Sequence, residues 1–371
     1  SPKNGGDSEV FSYLKITIKS DNKVEIEAIN SKNFYKTILN AIETRIDSGD
    51  NEISFLIKAE AIFGSVNIIP DENISLELNI EKQLLTLSGS KAKYKLRVDF
   101  DKLGDFKLPD IDQKNLATLD IKPADLINSI KAANISVGLP QNVYEPRFLS
   151  ICISLDKQDQ TTYVVSTDRY RITKNTLPES KIESEIDTIQ NFLLPPKNLQ
   201  IFISAIDDKL DSITINFGKD YAVVTTDSQT IGMRYGEGDY PDYTKIIPQS
   251  FACNFKVNTA ELNLALKQAS FCAKQNTINK SVDIQIKPES KEMTLVAKAD
   301  DGSQSTSTCL FEDYEGHTEP WNQAFNIDYL LDYIKGLKSE TVLWEANPGK
   351  PSVLSPDGEK DKQLYLASGL R

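Results

Sequence analysis

Side chains able to do covalent or hydrolytic chemistry are few and scattered in this chain. The single histidine, His317, sits in the acidic, turn-like stretch FEDYEGHTEP, away from any candidate nucleophile, so histidine-based acid–base or triad catalysis is not expected. Four cysteines, Cys152, Cys253, Cys272 and Cys309, lie far apart with no C-x-x-C pair. That spacing argues against a zinc site or a disulfide framework and for buried thiols in a reducing compartment. Asp168, Asp227, Asp300 and Asp301 could in principle ligate a metal or move protons, but acids beside turns are more often turn formers. The chain contains no G-x-x-x-x-G-K-[ST] phosphate loop, no G-x-G-x-x-G after a strand, no H-E-x-x-H and no G-x-S-x-G. The expectation is a protein that binds rather than transforms, with no catalytic residue, metal or cofactor.

The elements that must carry any binding surface are mostly strands. YLKITIKSDNKVEIEAI (13–29), ISLELNIEKQLLTLSG (74–89) and VDIQIKPESKEMTLVAKA (282–299) alternate apolar and polar residues, which reads as antiparallel hairpins with one buried face. Five segments have helical spacing instead: 58–69, 123–136, 195–206, 259–273 and 326–337, the first of them the weakest. Helix-led blocks with several strands recur from about 118, after the proline pair 195–196, from about 255 and from about 325. A unit of one helix and several strands, duplicated and paired into domains, accounts for that period. Proline-containing, polar breaks at 103–115 and 241–253 are the candidate linkers.

At 371 residues the chain exceeds one hydrophobic core, and three domains of about 120 residues are expected. A hydrophobic content of 39% and a charged content of 26% are those of a globular protein. There is no apolar run of the roughly 20 residues that cross a bilayer, and the opening SPKNGGDSEV lacks the basic and apolar parts of a secretory signal, so a cytoplasmic address is the expectation. The net charge of −12 counts against tight nucleic-acid binding, although a few lysines on one surface would still permit a loose, sliding contact with phosphates.

Four segments carry a family resemblance. VVSTDRYRIT (164–173) resembles the middle-domain signature of bacterial DNA sliding clamps, the beta subunits of DNA polymerase III, with Arg169 where the family commonly has a turn glycine. EGDYPDYTKIIP (237–248) is similar to the stretch that closes the family's second domain, and this is the most specific match. FNIDYLLDYIKGLKSETV (325–342) resembles the second helix and following strand of the third clamp domain. YLASGLR (365–371) resembles the final strand and tail, with Ser368 and Gly369 at the usual methionine and proline positions. The resemblance runs over nearly the whole chain. It also implies that about two dozen residues of the family's first domain, an opening strand and helix, have no counterpart before YLKITI.

The resemblance implies an α+β chain of three similar clamp domains, 1–113, 114–249 and 250–371, each with two helices on antiparallel sheets, and a head-to-tail homodimeric ring. Such a ring encircles double-stranded DNA without reading its sequence. Lys58, Lys122, Lys131, Lys197, Lys267 and Lys335, in or at the start of predicted helices, and Gln141 are the implied DNA contacts; Tyr94 and Phe271 match subunit-interface positions. A pocket for short Gln- and Leu-containing partner segments is implied at Phe148, Thr167, Tyr170, Arg171, Ile172, Pro241, Lys245, Ile246, Leu366, Ser368, Gly369, Leu370 and Arg371. Implied partners are the DNA polymerase III alpha subunit, the clamp loader, other polymerases and mismatch-repair proteins. Two other readings compete. An enzyme would use the turn carboxylates, and a secreted or surface β-rich interaction protein would fit the acidic surface.

Overall fold

In strand Ser281–Lys287 the apolar Val282, Ile284 and Ile286 are buried while Asp283 and Gln285 remain partly open, the period-two pattern of a strand with one face on a core. This alternation builds most of the molecule. The computed structural model describes residues 9–47, 49–109, 114–141 and 144–370; part of the predicted linker at 103–115, and the boundary between the first two predicted domains, fall outside them.

Among the described residues five α-helices punctuate the strands: α1 (Ala59–Val66), α2 (Pro123–Ala133), α3 (Pro196–Ala205), α4 (Thr259–Ala273) and α5 (Ile327–Gly336). Each falls within one of the five stretches with helical spacing. Local chemistry explains the starts of α2, α4 and α5. Pro123 occupies the first turn of α2, where a missing N–H costs nothing. The Asn258 side chain accepts hydrogen bonds from the amides of Ala260 (3.0 Å) and Glu261 (3.1 Å), and Asn326 does the same for Asp328 (2.9 Å), so α4 and α5 begin on satisfied N-caps.

The chain divides into two compact units, one comprising the chain up to Asp120 with Gln200–Ala205 and Ile213–Arg234, the other Ile121–Leu199, Ile206–Ser212 and Tyr235–Arg371. In the first unit, Tyr13–Lys19, Lys23–Ile29 and Asn33–Asn40 form a meander, and Glu52–Lys58 pairs with its first strand. Ile16, Phe55, Ile57, Leu85, Leu87 and Val98 make the core beneath it. The meander is extended by a strand almost two hundred residues later: Gln229–Arg234 pairs with Asn33–Asn40, placing Gly232 directly opposite Phe34. The Phe34 ring lies over this glycine, and a Cβ there would come within 1.8 Å of the ring. Gly232→Ala is therefore expected to cost about 1–3 kcal/mol in a urea melt through overpacking, and an unchanged midpoint would refute this role for the ring.

The second unit carries a 12-stranded antiparallel sheet. Its central seam joins Arg171–Leu177 to Gln363–Ala367, with Ile172 opposite Leu366 and Thr173 opposite Tyr365. Strands from the middle and the end of the chain thus share one sheet. Helices α4 and α5 cover the C-terminal half over a core that includes Phe255, Phe325, Trp344, Tyr333 and Tyr365. Tyr333 and Tyr365 stack nearly parallel, 4.4 Å between centroids, and the Tyr365 hydroxyl donates to the Tyr329 carbonyl at 2.7 Å. The α5 helix is thereby held to the strand that leads into the C-terminal tail.

Candidate functional site

Strands Thr161–Thr167 and Arg171–Leu177 pair antiparallel with Thr167 opposite Ile172, leaving three residues for the turn. The Thr-Asp pair closes it. Thr167 Oγ1 accepts from the Arg169 amide (3.1 Å), and Asp168 Oδ1 accepts from the amides of Tyr170 (3.0 Å) and Arg171 (3.1 Å), so the side chains satisfy backbone donors that the tight turn leaves over. Arg169 takes the left-handed conformation, φ +83°, at a cost on the order of 1–2 kcal/mol for a residue with a Cβ.

Arg171 holds this turn against the end of the chain. Its Nε donates to Asp168 Oδ2 (2.9 Å), its Nη1 donates to Asp332 Oδ2 on α5 (2.9 Å), and its guanidinium sits 4.3 Å from the centroid of the Tyr329 ring. Burial alone would pull the guanidinium pKa down; Tyr365, Asp332 and Asp168 outweigh it and hold it above its ordinary value. Tyr329 is itself pushed up to about 12, mainly by burial. A neutral ring therefore faces a permanently charged arginine.

A small core lies beneath the turn, made of Cys152, Val165, Ile172, Leu193, Tyr240, Tyr243, Val353, Leu364 and Leu366. It gathers the hairpin, the DYPDY segment and the last two strands, together with Cys152 and Leu193 from strands Ile151–Asp156 and Gln190–Leu194. In DYPDY, Tyr240 and Tyr243 meet edge to face at 6.3 Å, Asp242 accepts from the Thr244 amide (3.2 Å), and Asp242 pairs with Lys245 (3.0 Å). Phe148 is buried with Arg147 over its ring at 5.2 Å, and Arg147 pairs with Glu145. The tail runs past the turn: the Ser368 amide donates to the Tyr170 carbonyl (2.9 Å), and the Leu370 amide to the Ala324 carbonyl (2.8 Å). Gly369 rests against Gln323, whose amide nitrogen donates to the Lys350 carbonyl at 2.7 Å.

Of the residues expected to form the pocket, Phe148, Thr167, Arg171, Ile172 and Leu366 are buried and supply its support. Tyr170, Lys245 and Ile246 are exposed, and Pro241, Ser368, Gly369 and Leu370 are partly so. Arg371 lies outside the described residues. Tyr170 and Ile246 are each about half exposed (55% and 51%) on segments whose buried neighbours share one core. That combination can take up apolar side chains of a peptide, whereas the turn acids serve as structure. Asp300 accepts from the Thr277 hydroxyl (2.6 Å) and amide (3.0 Å), Asp301 from the Ser303 amide (2.8 Å), and Asp168 is committed to Arg171; Asp227 is exposed. No group of three or more metal-ligating side chains occurs among the described residues. All four cysteines are free and buried. Burial pushes Cys152 and Cys309 up to about 12, which leaves little thiolate near neutral pH.

Asp332, Tyr329, Tyr240, Tyr243 and Gln323 support this site without having been singled out in the sequence. The tyrosines of DYPDY lie within a motif already noted, but an acid on α5 or a glutamine in strand Trp321–Asn326 carries no local signal. Elsewhere, Lys58, Lys122, Lys131, Gln141, Lys197, Lys267 and Lys335 are all exposed, with Lys58 and Lys122 immediately before α1 and α2. Tyr94 is half-buried against the core of the first unit, and Phe271 stands 71% exposed on α4, two turns beyond Leu264, which is 58% exposed.

Several solved structures of DNA clamps share this architecture. A DNA polymerase sliding clamp from Pseudomonas aeruginosa matches with a TM-score of 0.86 at 14% identity, over 98% of this chain and 93% of that one. The DNA polymerase III beta subunit of Thermotoga maritima gives 0.82 at 19% identity over 98% and 92%, and a Helicobacter pylori beta clamp bound to a DNA ligase peptide gives 0.80 at 18% over 98% and 93%. The fold is thus the clamp fold. Among sequence relatives, the beta sliding clamp of Helicobacter pylori is 24% identical over 354 residues, 92% of this chain and 88% of that protein, and that of Bacillus subtilis 24% over 332 residues, 86% and 83%. Models for the central and C-terminal domains of the DNA polymerase III beta subunit match residues 120–242 and 244–367, and the chain belongs to this family, the bacterial sliding clamps. The β-rich surface protein of the competing reading is set aside by that membership.

Proposed function

We propose that two copies of this chain close head to tail into a ring around duplex DNA, and that the ring tethers a replicative polymerase and other partners through short peptides seated beside the Asp168–Tyr170 turn. Each copy contributes three clamp domains, with boundaries near 113 and 249. Ring closure converts a weak, sequence-independent attraction into persistent association, because a topological link needs no tight grip. The exposed lysines before or on the helices, Lys58, Lys122, Lys131, Lys197, Lys267 and Lys335, together with Gln141, suit a sliding contact on phosphates. Tyr94 and Phe271 are the proposed subunit contacts. A cytoplasmic replication protein of this kind has no need of a catalytic centre, and its loading onto closed DNA falls to a separate ATP-driven partner.

The observation that carries the peptide site is the pairing of Arg171–Asn175 with Gln363–Ala367, which brings the turn, the DYPDY segment and the C-terminal tail onto one small core. The pocket residues proposed for partner contact are Tyr170, Pro241, Lys245, Ile246, Ser368, Gly369, Leu370 and Arg371, supported by Phe148, Thr167, Arg171, Ile172 and Leu366. Polymerase III alpha subunit, clamp loader and repair proteins would then compete for one site. The test is primer extension on a long primed circle by a bacterial replicative polymerase with its clamp loader. The full chain is expected to lengthen products, and a chain ending at Gly369 to lose that gain. Equal product lengths with and without a folded, dimeric chain would sink the processivity reading, and an undiminished gain after truncation would sink the tail's part in it.

A further inference from the structure

Lys174 occupies a place on the sheet where an apolar residue would be usual. It lies in strand Arg171–Leu177, directly opposite Val165 on one side and Leu364 on the other. Opposed residues in an antiparallel sheet point to the same face, and both of these belong, with Ile172 two residues earlier, to the small core beneath the proposed peptide site. The Lys174 side chain therefore rises from the core-facing side of a strand with neighbours on both edges. Its Nζ comes to 4.4 Å from the centroid of the Tyr163 ring, which packs against the same core. Among the described residues this ammonium makes no hydrogen bond or salt bridge, and the ring is its one close partner.

Other lysines are held differently. Lys19 donates to Glu25 (2.7 Å), Lys102 donates to Glu9 (2.7 Å), and Lys256 lies 3.2 Å from both Asp357 and Asp313; these carboxylates hold each ammonium above its ordinary pKa. Lys174 is only partly exposed and shifts the other way, because burial against the sheet face lowers it, with the charge of Asp361 opposing. A half-buried lysine of this kind carries more free amine near neutral pH, and the free amine is the nucleophile. The Tyr163 ring favours the cation, so the sheet face supplies the reactivity and the ring moderates it.

We propose that Lys174 is a site of acylation at Nζ by small acyl phosphates. The uncharged Nζ adds to the acyl carbonyl carbon and a C–N bond forms. The C–O bond to phosphate then breaks, its electron pair leaves on the phosphate, and the proton lost from nitrogen passes to solvent. The product is a neutral amide. It removes a charge that the sheet face solvates poorly, and its acyl end can settle on the Tyr163 ring in place of the ammonium. A solely structural role, in which the ammonium pins the ring, keeps the cation in place and gives Lys174 no preference over other lysines.

The experiment treats the full, folded chain briefly with acetyl phosphate near neutral pH and reads the acetyl occupancy of each lysine by peptide mass spectrometry. Lys174 is expected to react about threefold faster than the exposed Lys58, Lys122 and Lys267, its gain in free amine being partly offset by a weaker nucleophile. In urea, with the sheet unfolded, the ratio should fall to about one, since all lysines are then solvated alike. Tyr163→Leu keeps apolar cover but removes the ring that favours the cation, so in that variant, with its fold checked by far-UV circular dichroism, the ratio should rise further. A ratio of one or less in the folded parent chain, or an equal ratio in urea, overturns the proposal. So does a fall in folded Tyr163→Leu, because the ring contact rather than the sheet face would then set the reactivity.

Discussion

Replacing Arg171 by alanine is expected to lower stability by about 3–5 kcal/mol, the loss found when one partner of a buried ion pair is removed. Arg171 and Asp168 are each only 8% exposed, so the aspartate left behind cannot recover its hydration and keeps only the amides of Tyr170 and residue 171 as partners. The stacking of the guanidinium on Tyr329 is lost as well, adding about 0.5–2 kcal/mol. Asp332 contributes little to the loss, since its side chain is half exposed (48%) and rehydrates when freed. Urea unfolding followed by far-UV circular dichroism reads the effect on the first cooperative transition. Arg171→Lys should recover less than half of it, because an ammonium cannot bridge Asp168 and Asp332 while lying flat on a tyrosine. A loss below about 1 kcal/mol for Arg171→Ala would mean the pair is solvated in solution. The same substitution should weaken partner peptides, because Arg171 sets the turn that carries Tyr170 against α5.

Much of this architecture can be read directly from the residues. Prolines and asparagines at helix starts, such as Pro123, Asn258 and Asn326, combine with 3.6-residue spacing to mark α2, α4 and α5. Alternation in stretches such as 282–299 marks the hairpins. Neither signal says which strands from distant parts of the chain will pair. That Asn33–Asn40 accepts Gln229–Arg234, or Arg171–Leu177 accepts Gln363–Ala367, depends on two compatible edges and a shared core, and no local pattern encodes an edge's partner. The sheets thus join strands from distant parts of the chain, which alternation within each stretch does not announce.

The candidate site divides along the same line. The Thr-Asp turn and the DYPDY segment are contiguous motifs whose side chains act on nearby backbone, so their geometry follows from the residues themselves. Asp332 and Tyr329 reach Arg171 from a helix more than 150 residues away, and an acid or a tyrosine on an amphipathic helix looks like any other. Arg169 is intermediate. Its bulk where the resemblance expects a turn glycine is visible in the sequence, but only the backbone shows that it takes a positive φ.

Gly369→Ala is expected to weaken partner-peptide binding roughly tenfold, equivalent to about 1.4 kcal/mol. A Cβ on residue 369 would come within 2.1 Å of Gln323 Nε2 and 2.9 Å of its Cδ. Gln323 cannot easily retreat, because it is only 6% exposed and its amide is engaged with the Lys350 carbonyl. Either that hydrogen bond breaks, or the tail shifts away from the turn and pulls on the Ser368–Tyr170 and Leu370–Ala324 hydrogen bonds. The first route leaves the Lys350 carbonyl without its donor, and the second displaces the proposed contact residues Ser368 and Leu370 by a few tenths of an ångström or more, with an overpacking cost of about 1–3 kcal/mol. Because residues 368–370 are partly exposed and lie outside the hydrophobic cores, global stability should fall less than peptide affinity does, and isothermal titration beside a thermal melt separates the two. Gln323→Ala in the Gly369→Ala background removes the obstructing amide and should restore part of the affinity, a coupling that only neighbouring sites display. Wild-type affinity in Gly369→Ala would show that the tail can move without cost to the site, and losses that simply add in the double variant would show that Gln323 is not what the new methyl meets.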